Sequence, residues 1–259
     1  MYHGLKKEWY DCRNMIYIVI PAYNEEQEIE SAVEEIVNNI GKRKYQLVVV
    51  DDGSHDKTVA RLKDLKKKYS LEILRHDCNL GPGAAVRTGL KWVLTKAENS
   101  DVVVTMESGG ISEKGLVLKM ISIVENGKAN VVLAGCYAQG GGIKNVPFKR
   151  QLLSRVANGL LRLTFPISGV STYSSLLRAY HVGALKKAEK KFKGKLIVDN
   201  GFFSTVEMLI KLSKCKWVKI KEIPMTLDWG KGKRISRMRV GRTIISHLIN
   251  IVKYKIEGY

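Results

Sequence analysis

Two adjacent carboxylates follow a continuous apolar run in the first quarter of the chain. Leu47 to Val50 is uniformly apolar, and it ends abruptly at Asp51 and Asp52, which precede Gly53 and Ser54. Such a run is typical of a strand buried on both faces of a parallel sheet. Ligands of open α/β sheets bind beyond the carboxyl ends of the strands. The pair therefore marks a candidate ligand site, although a strand that stops at an Asp-Gly turn gives the same pattern.

Chemically distinctive residues also follow three other predicted strands. These strands are the apolar runs over residues 15–20, 71–74 and 101–105. The turn over residues 79–83 is also typical of an ordinary tight turn before a helix, so its glycines alone do not specify a ligand. The residues concerned are Pro21, Tyr23 and Glu25 after the first run, Gly81 and Arg87 after the second, and Glu107 after the third.

The elements that position these residues alternate along the first half of the chain. Apolar periodicity predicts helices over residues 26–40, 57–67, 82–94 and 112–126, and a fifth strand over 131–134. A β-α-β-α alternation favours a mainly parallel, right-handed α/β sheet flanked by helices.

The second half is more basic and less regular. It predicts helices over residues 148–163 and 202–212, a basic strand over 217–223 and a dense cationic loop over 229–239. The terminal amphipathic helix, over 244–256, has the composition of an in-plane membrane anchor. A helix packed on the sheet or in an oligomer interface is the alternative.

The net charge is the most unusual property of the composition. A formal charge of +19 in 259 residues implies an anionic partner, namely nucleic acid, an acidic membrane surface or a phosphate-bearing substrate. Solvated lysine faces account for part of it. No nucleic-acid motif is visible and aromatic residues are not interleaved with the basic runs, so we expect no nucleic-acid partner.

Cysteine usage and hydropathy indicate the compartment. The four cysteines are widely spaced and form no Cys-x-x-Cys pair, which is typical of free thiols in a reducing compartment. The N-terminus lacks the apolar core of a signal peptide, and no run approaches the roughly 18–20 apolar residues that span a bilayer. We expect a cytoplasmic protein, or one that is peripheral on the cytoplasmic face of a membrane.

Four motifs in this order carry a family resemblance. They are IVIPAYNEEQEI, VVVDDGSHDKT, NLGPGAAVRTGL and VVVTMES. Over roughly residues 15–240 the chain resembles the family 2 glycosyltransferases of the GT-A fold, and within them the dolichyl-phosphate mannose and polyprenyl-phosphate glucose synthases. The resemblance implies a Rossmann-like nucleotide-diphospho-sugar transferase fold and a sugar donor such as GDP-mannose or a UDP-sugar.

The resemblance also implies roles for the distinctive residues. Pro21, Tyr23 and Glu25 would wall the base and ribose of the donor, while Asp51 and Asp52 would accept hydrogen bonds from it, as ionised carboxylates do strongly. Gly81 and Gly83 would let the backbone pass close to the nucleotide, and Arg87 would reach toward its phosphates.

The chain departs from the family at the metal site. The family's Asp-x-Asp, which holds Mg²⁺ or Mn²⁺ on the diphosphate, is replaced by Glu107 and Gly109, so one carboxylate remains. One account keeps a divalent cation on Glu107 and the substrate phosphates. In the other, preorganised cations neutralise the departing diphosphate. The cationic candidates are Arg178, Lys233, Arg234 and Arg237, which with Glu107 form the predicted catalytic set.

The resemblance implies an inverting transfer to a polyprenyl phosphate, whose phosphate is already ionised, so that a general base adds little. Arg150 is a further candidate cation for that acceptor. A glycan acceptor would instead need a carboxylate, for which Asp199 and Glu207 are the candidates. Glu207 is also explained by an ordinary charge on a helix surface.

The predicted organisation follows from these roles. Residues 1–14 form an N-terminal extension, 15–238 the GT-A domain and 239–259 a basic amphipathic helix. Within the domain, 15–135 is the nucleotide-binding half and 136–238 the acceptor half. An alternative function is that of a catalytically impaired, nucleotide-binding paralogue acting as a partner subunit. Homo-oligomer or membrane partners are also expected.

Overall fold

The computed structural model describes residues 14–108, 113–230 and 240–256, with side chains from residue 248 onwards in the last segment. Its strands are β1 (Ile16–Ala22), β2 (Tyr45–Asp51), β3 (Leu71–Arg75), β4 (Val102–Thr105), β5 (Val131–Gly135), β6 (Gly142–Lys144), β7 (Arg178–His181), β8 (Ile220–Pro224) and β9 (Thr226–Asp228). Its helices are α1 (Ile29–Ile40), α2 (Thr58–Lys66), α3 (Pro82–Lys96), α4 (Leu116–Glu125), α5 (Phe148–Thr164), α6 (Val182–Lys191), α7 (Ser204–Ser213) and α8 (Val240–Ile256).

Seven strands form one sheet in the order β3-β2-β1-β4-β7-β5-β8. Every neighbouring pair is parallel except those of β7, which runs antiparallel to both β4 and β5. The predicted α/β class, with a mainly parallel sheet flanked by helices and a C-terminal helix, is confirmed.

The sheet separates two apolar layers. On one face α1, α2 and α4 pack against alternate residues of the strands, such as Ile18 and Ile20. On the other face α3 and α6 pack against residues such as Val19 and Val48. A third cluster joins α5, α7 and α8 to Leu133 of β5. The helix α8 is therefore docked on the second half of the chain by part of its surface.

The strand β7 and the helix α6 were absent from the predictions, which placed no element between residues 163 and 202. The strand has four residues, too few for a diagnostic alternation, and one of them is the fully buried Arg178. The helix α6 that follows is rich in lysine, so its short apolar face is difficult to recognise in the sequence. That face consists of Val182, Leu185 and Ala188.

The strand directions define the edge of the sheet at which the candidate site residues lie. Because β5 and β8 run parallel to β4 through their common neighbour β7, the carboxyl ends of all six parallel strands lie at the same edge. Beyond it, β6 and β9 form a separate two-stranded parallel ribbon. None of the described helices is both long and apolar enough to cross a membrane.

Candidate active site at the carboxyl edge of the sheet

Asp52, just beyond β2, is buried, and its carboxylate is shared among three donors of the chain itself. Oδ1 accepts from the backbone N–H of Leu80 at 3.0 Å and lies 2.7 Å from Nδ1 of His76. Oδ2 accepts from the N–H of Gly81 at 2.8 Å. The other ring nitrogen of His76, Nε2, lies 2.9 Å from the Thr88 hydroxyl. The carboxylate thus fixes the loop that enters α3.

Asp51 is also buried, and it stabilises the turn after its own strand. Its Oδ1 accepts from the N–H of Ser54 at 3.2 Å. Its Oδ2 lies 3.1 Å from Nε of the half-exposed Arg75, an ion pair without the alignment of a hydrogen bond. Asp51 therefore joins the ends of β2 and β3, whereas Asp52 joins β2 to α3.

Hydrogen bonds to side chains join the loop after β1 to the loop after β2. The N–H of Asn24 donates to Ser54 Oγ at 2.8 Å, and the N–H of His55 donates to Asn24 Oδ1 at the same distance. The N–H of Glu25 donates to Thr58 Oγ1 at 2.7 Å. The structure thereby brings the predicted wall residues beside the acidic pair. These half-buried residues are Pro21, Tyr23 and Glu25.

The glycines before α3 are required by a close approach of another segment. At Gly81, where φ is +102°, an added Cβ would lie 2.4 Å from the carbonyl oxygen of Asn200. At Gly83 it would lie 2.4 Å from that of Asp199, and the N–H of Gly83 donates to Asn200 O at 2.8 Å. Arg87 donates to Val198 O and to Asn200 Oδ1. The backbone of residues 198–200, in the second half of the chain, therefore packs against one side of this turn.

Glu107 is exposed and lies beyond the end of β4, at the same edge as the acidic pair. Gly109 lies outside the described residues. Within the described part of the chain, no group of three or more His, Cys, Asp or Glu side chains could hold a metal ion. Of the family's Asp-x-Asp this chain keeps one carboxylate, so its side chains do not form that two-carboxylate metal site, and Glu107 would meet a cation only together with substrate phosphates.

Arg178 begins β7 at this edge, but its side chain points into the protein. It is 0% exposed, and its guanidinium donates to the backbone carbonyls of Thr205 at 2.6 Å and Tyr173 at 2.7 Å. In this arrangement Arg178 positions the segments around it and does not reach the space beyond the strands. The other three predicted cations, Lys233, Arg234 and Arg237, lie outside the described residues.

The side chain of Arg150 stacks on an aromatic ring. The guanidinium of Arg150, in the first turn of α5, lies 4.6 Å from the ring centre of Trp229, which follows β9. Asn145 donates to Asp228 at 2.7 Å, which joins the end of β6 to the end of β9. Cation–π stacking and this bond place Arg150 beside the ribbon, beyond the carboxyl edge.

The buried thiol near this ribbon is not a nucleophile. Burial is the main cause that raises the pKa of Cys136, to about 11. It is therefore protonated at neutral pH, and the thiolate is the reactive form.

Two important residues were missed by sequence reasoning. His76 sits between a strand and a glycine turn, and its only signal was its position next to a segment already singled out. Glu222, in β8, accepts from the N–H groups of Ser171 and Thr172 and so holds the segment that precedes β7.

Comparison with known proteins identifies the family of this arrangement. Residues 17–188 match the family model described as glycosyl transferase family 2. A dolichol-phosphate mannosyltransferase of Pyrococcus furiosus is 29% identical over 245 residues, which cover 94% of this chain and 64% of that protein. A UDP-N-acetylglucosamine–dolichyl-phosphate N-acetylglucosaminyltransferase of Methanococcus voltae is 28% identical over 82% of this chain and 84% of its own length.

Solved structures show the same fold. A glucosyl-3-phosphoglycerate synthase of Mycobacterium tuberculosis, crystallised with Mn²⁺, UDP and phosphoglyceric acid, superposes with a TM-score of 0.64 at 18% identity. The match covers 92% of this chain and 78% of that one. The family model spans about two thirds of the chain, and the chain therefore belongs to glycosyl transferase family 2, as the order of its motifs predicted.

Proposed function

We propose that this protein transfers a sugar from a nucleotide-diphosphate sugar to a polyprenyl or dolichyl phosphate at a membrane surface. The observation that carries the proposal is an exposed apolar face on α5 and α8 that begins beside Arg150, at the same edge of the sheet as the acidic pair. The names of two relatives, which contain dolichol phosphate or dolichyl phosphate, support this choice of acceptor.

The donor half of the site consists of three loops that hold one another. Asp52 fixes the turn at Gly81, and Asn24 and Glu25 tie the loop after β1 to the loop after β2. A nucleotide placed here meets the half-buried Tyr23 and the remaining acceptor capacity of Asp52. The donor is GDP-mannose or a UDP-sugar, since the two relatives are named for different sugars.

The acceptor half combines a helix N-terminus, a cation and apolar side chains. The first turn of α5 lies at the positive end of the helix dipole, which favours anions, and it contains Arg150. A lipid phosphate bound there would have its hydrocarbon chain beside the exposed apolar side chains of the two helices. These are Phe148, Leu152, Leu153, Val156, Leu160 and Leu163 on α5, and Leu248, Ile249, Val252 and Ile256 on α8.

This face fits a membrane surface better than solvent because it is amphipathic. Large exposed apolar patches mark interaction sites. Basic residues flank the apolar ones, as expected of helices that lie in the interface of an anionic membrane. They are Lys149, Arg150, Arg155 and Arg162 on α5, and Lys253 and Lys255 on α8. A second copy of the chain is the competing occupant.

The proposed reaction is a direct displacement. A phosphate oxygen of the lipid attacks the anomeric carbon, a carbon–oxygen bond to the phosphate forms, and the bond to the nucleoside diphosphate breaks with inversion. The nucleophile is already anionic, so no general base is required. Since Glu107 is the one carboxylate that remains of the family's Asp-x-Asp, we assign the neutralisation of the leaving diphosphate to the cationic residues Lys233, Arg234 and Arg237, which lie outside the described residues.

A second candidate function is that of a nucleotide-binding partner subunit without transfer activity. The observation that favours it is the buried guanidinium of Arg178, which is committed to two carbonyls, together with the single carboxylate at Glu107. Such a protein would bind the donor and leave it intact.

Transfer to a lipid phosphate is the direct test. Purified protein is incubated with UDP- and GDP-sugars and vesicles containing polyprenyl phosphate, with Mn²⁺ or with EDTA, and the lipids are analysed by mass spectrometry. We expect a sugar–phosphate lipid with one donor class, and a yield in EDTA that stays within about threefold of that with metal, since side chains supply the positive charge. No product with bound donor would favour the partner subunit, and loss of product in EDTA would contradict the metal-free account.

Asp52→Asn tests the donor loop. The amide places an N–H₂ group against chain donors, so at least one buried hydrogen bond is lost at a cost of about 1–3 kcal/mol. We expect the free energy of unfolding in urea to fall by about this amount, and donor-nucleotide affinity in calorimetry to fall roughly tenfold. The control is Asp64→Asn, which changes an exposed side chain of α2 and should alter neither quantity. Unchanged nucleotide affinity in the Asp52 variant would contradict the assignment of Asp52 to the donor site.

Membrane docking is tested by sedimentation with vesicles that contain anionic lipid. The pair Leu152→Glu and Val156→Glu replaces two exposed apolar side chains on α5, and we expect it to weaken binding about tenfold or more. A control pair, Lys63→Gln in the distant helix α2 and Lys68→Gln just beyond its end, changes the net charge by the same two units. Equal losses in both pairs would indicate non-specific charge attraction. A change from dimer to monomer without any loss of vesicle binding would favour the second copy.

A further inference from the structure

A buried carboxylate in α7 connects the C-terminal helix to the loop before α3. Glu207 is 0% exposed, and its Oε1 accepts from Nζ of Lys211 at 2.6 Å and from the hydroxyl of Tyr254 in α8. Its Oε2 accepts from the N–H groups of Val198 and Asp199 at 2.9 and 2.8 Å. With four donors on two oxygens the carboxylate is saturated. The interpretation as a surface charge is therefore wrong.

Further bonds tie the same segment, residues 195–201, to both helices. Lys211 also donates to the carbonyl of Lys195 at 2.6 Å. From α8, Asn250 donates to Oδ2 of Asp199 at 3.3 Å, and Oδ1 of Asp199 accepts from the N–H of Gly201. The α7–α8 pair thus determines where this segment lies.

The segment in turn shapes the donor side of the site. Its Asn200 carbonyl accepts from Gly83, and its Val198 carbonyl accepts from Arg87. It leaves no room for a side chain at Gly81 or Gly83. A continuous set of contacts therefore runs from Tyr254 through Glu207 and the segment to the turn whose N–H groups bind Asp52.

We propose that Glu207 is a positioning residue for the donor site, through which the docking of α8 controls the turn at Gly81. The inference rests on the proposed donor site. A buried carboxylate is retained only where its donors are complete, so loss of the Tyr254 hydroxyl weakens the hold of Glu207 on the segment. The opposite side of α8 exposes Ile249, Val252 and Ile256. Membrane contact that holds α8 in place should therefore favour nucleotide binding, and nucleotide should favour membrane binding by the same factor.

Tyr254→Phe is the cleanest test because the ring, which packs 5.5 Å from that of Phe203, is kept while the hydroxyl is removed. We expect amide hydrogen exchange in the free protein to become about five- to tenfold faster over residues 79–87 and 197–201. We also expect the donor KM to rise by a similar factor with kcat little changed. Tyr69→Phe, at the opposite edge of the sheet, is the matched control and should leave exchange and KM unaltered.

A second substitution, with a larger expected effect, and hydrogen exchange in the presence of vesicles extend this test. Glu207→Gln should exceed Tyr254→Phe in each readout; where it does not fold, Asn250→Ala combined with Tyr254→Phe decides. In the wild type, anionic vesicles should slow exchange over 79–87, and the Tyr254 variant should lose that effect. A Tyr254 variant with a lower melting temperature but unchanged exchange over 79–87 would reduce Glu207 to ordinary structural support. Failure of the wild type to bind any nucleotide would instead refute the donor site, while exchange in the free variants still decides the coupling.

Discussion

The satisfaction of one buried carboxylate organises the donor side of this protein. Asp52 lies at the end of a strand buried on both faces, and a charge in that position is tolerated only when donors surround it. The backbone N–H groups of Leu80 and Gly81, together with His76, provide them. These bonds hold the loop before α3 in place, and the neighbouring loops of this edge pack beside it.

Charged side chains also hold backbone segments in place in the second half of the chain. Glu207, Glu222 and Arg178 are charged groups whose partners are mainly backbone atoms of neighbouring segments. They fix irregular segments that no helix or strand could position. The apolar faces of α5 and α8 are different, because many of their apolar side chains remain exposed to solvent. They are available to the lipid surface on which the proposed acceptor resides.

Much of the fold followed from the sequence because the first half is strongly patterned. Buried apolar runs, a glycine turn and amphipathic helices predicted β1 to β5 and α1 to α4 in order. The short strands β6, β7 and β9 were beyond such reasoning, since three or four residues carry no period and their pairing joins distant parts of the chain. The motif order identified the family, and it located the acidic pair at the correct edge.

The direction in which side chains point was the part that sequence could not provide. Arg178 and Asp52 both stand at the expected edge, yet their hydrogen bonds go to the protein itself. Glu207 has the spacing of a surface residue but is buried by α8, whose contact depends on residues almost fifty positions away. Whether a charged side chain binds a substrate or a backbone is decided by packing between distant segments.

Photolabelling with a photoreactive UDP or GDP, followed by peptide mapping, tests the central claim that the donor binds at this edge. Label should appear in residues 21–25, 51–54 or 76–87, and excess unmodified nucleotide should prevent it. Label confined to the lysine-rich surface over residues 186–195 and 214–221, or label that nucleotide does not displace, would contradict the account.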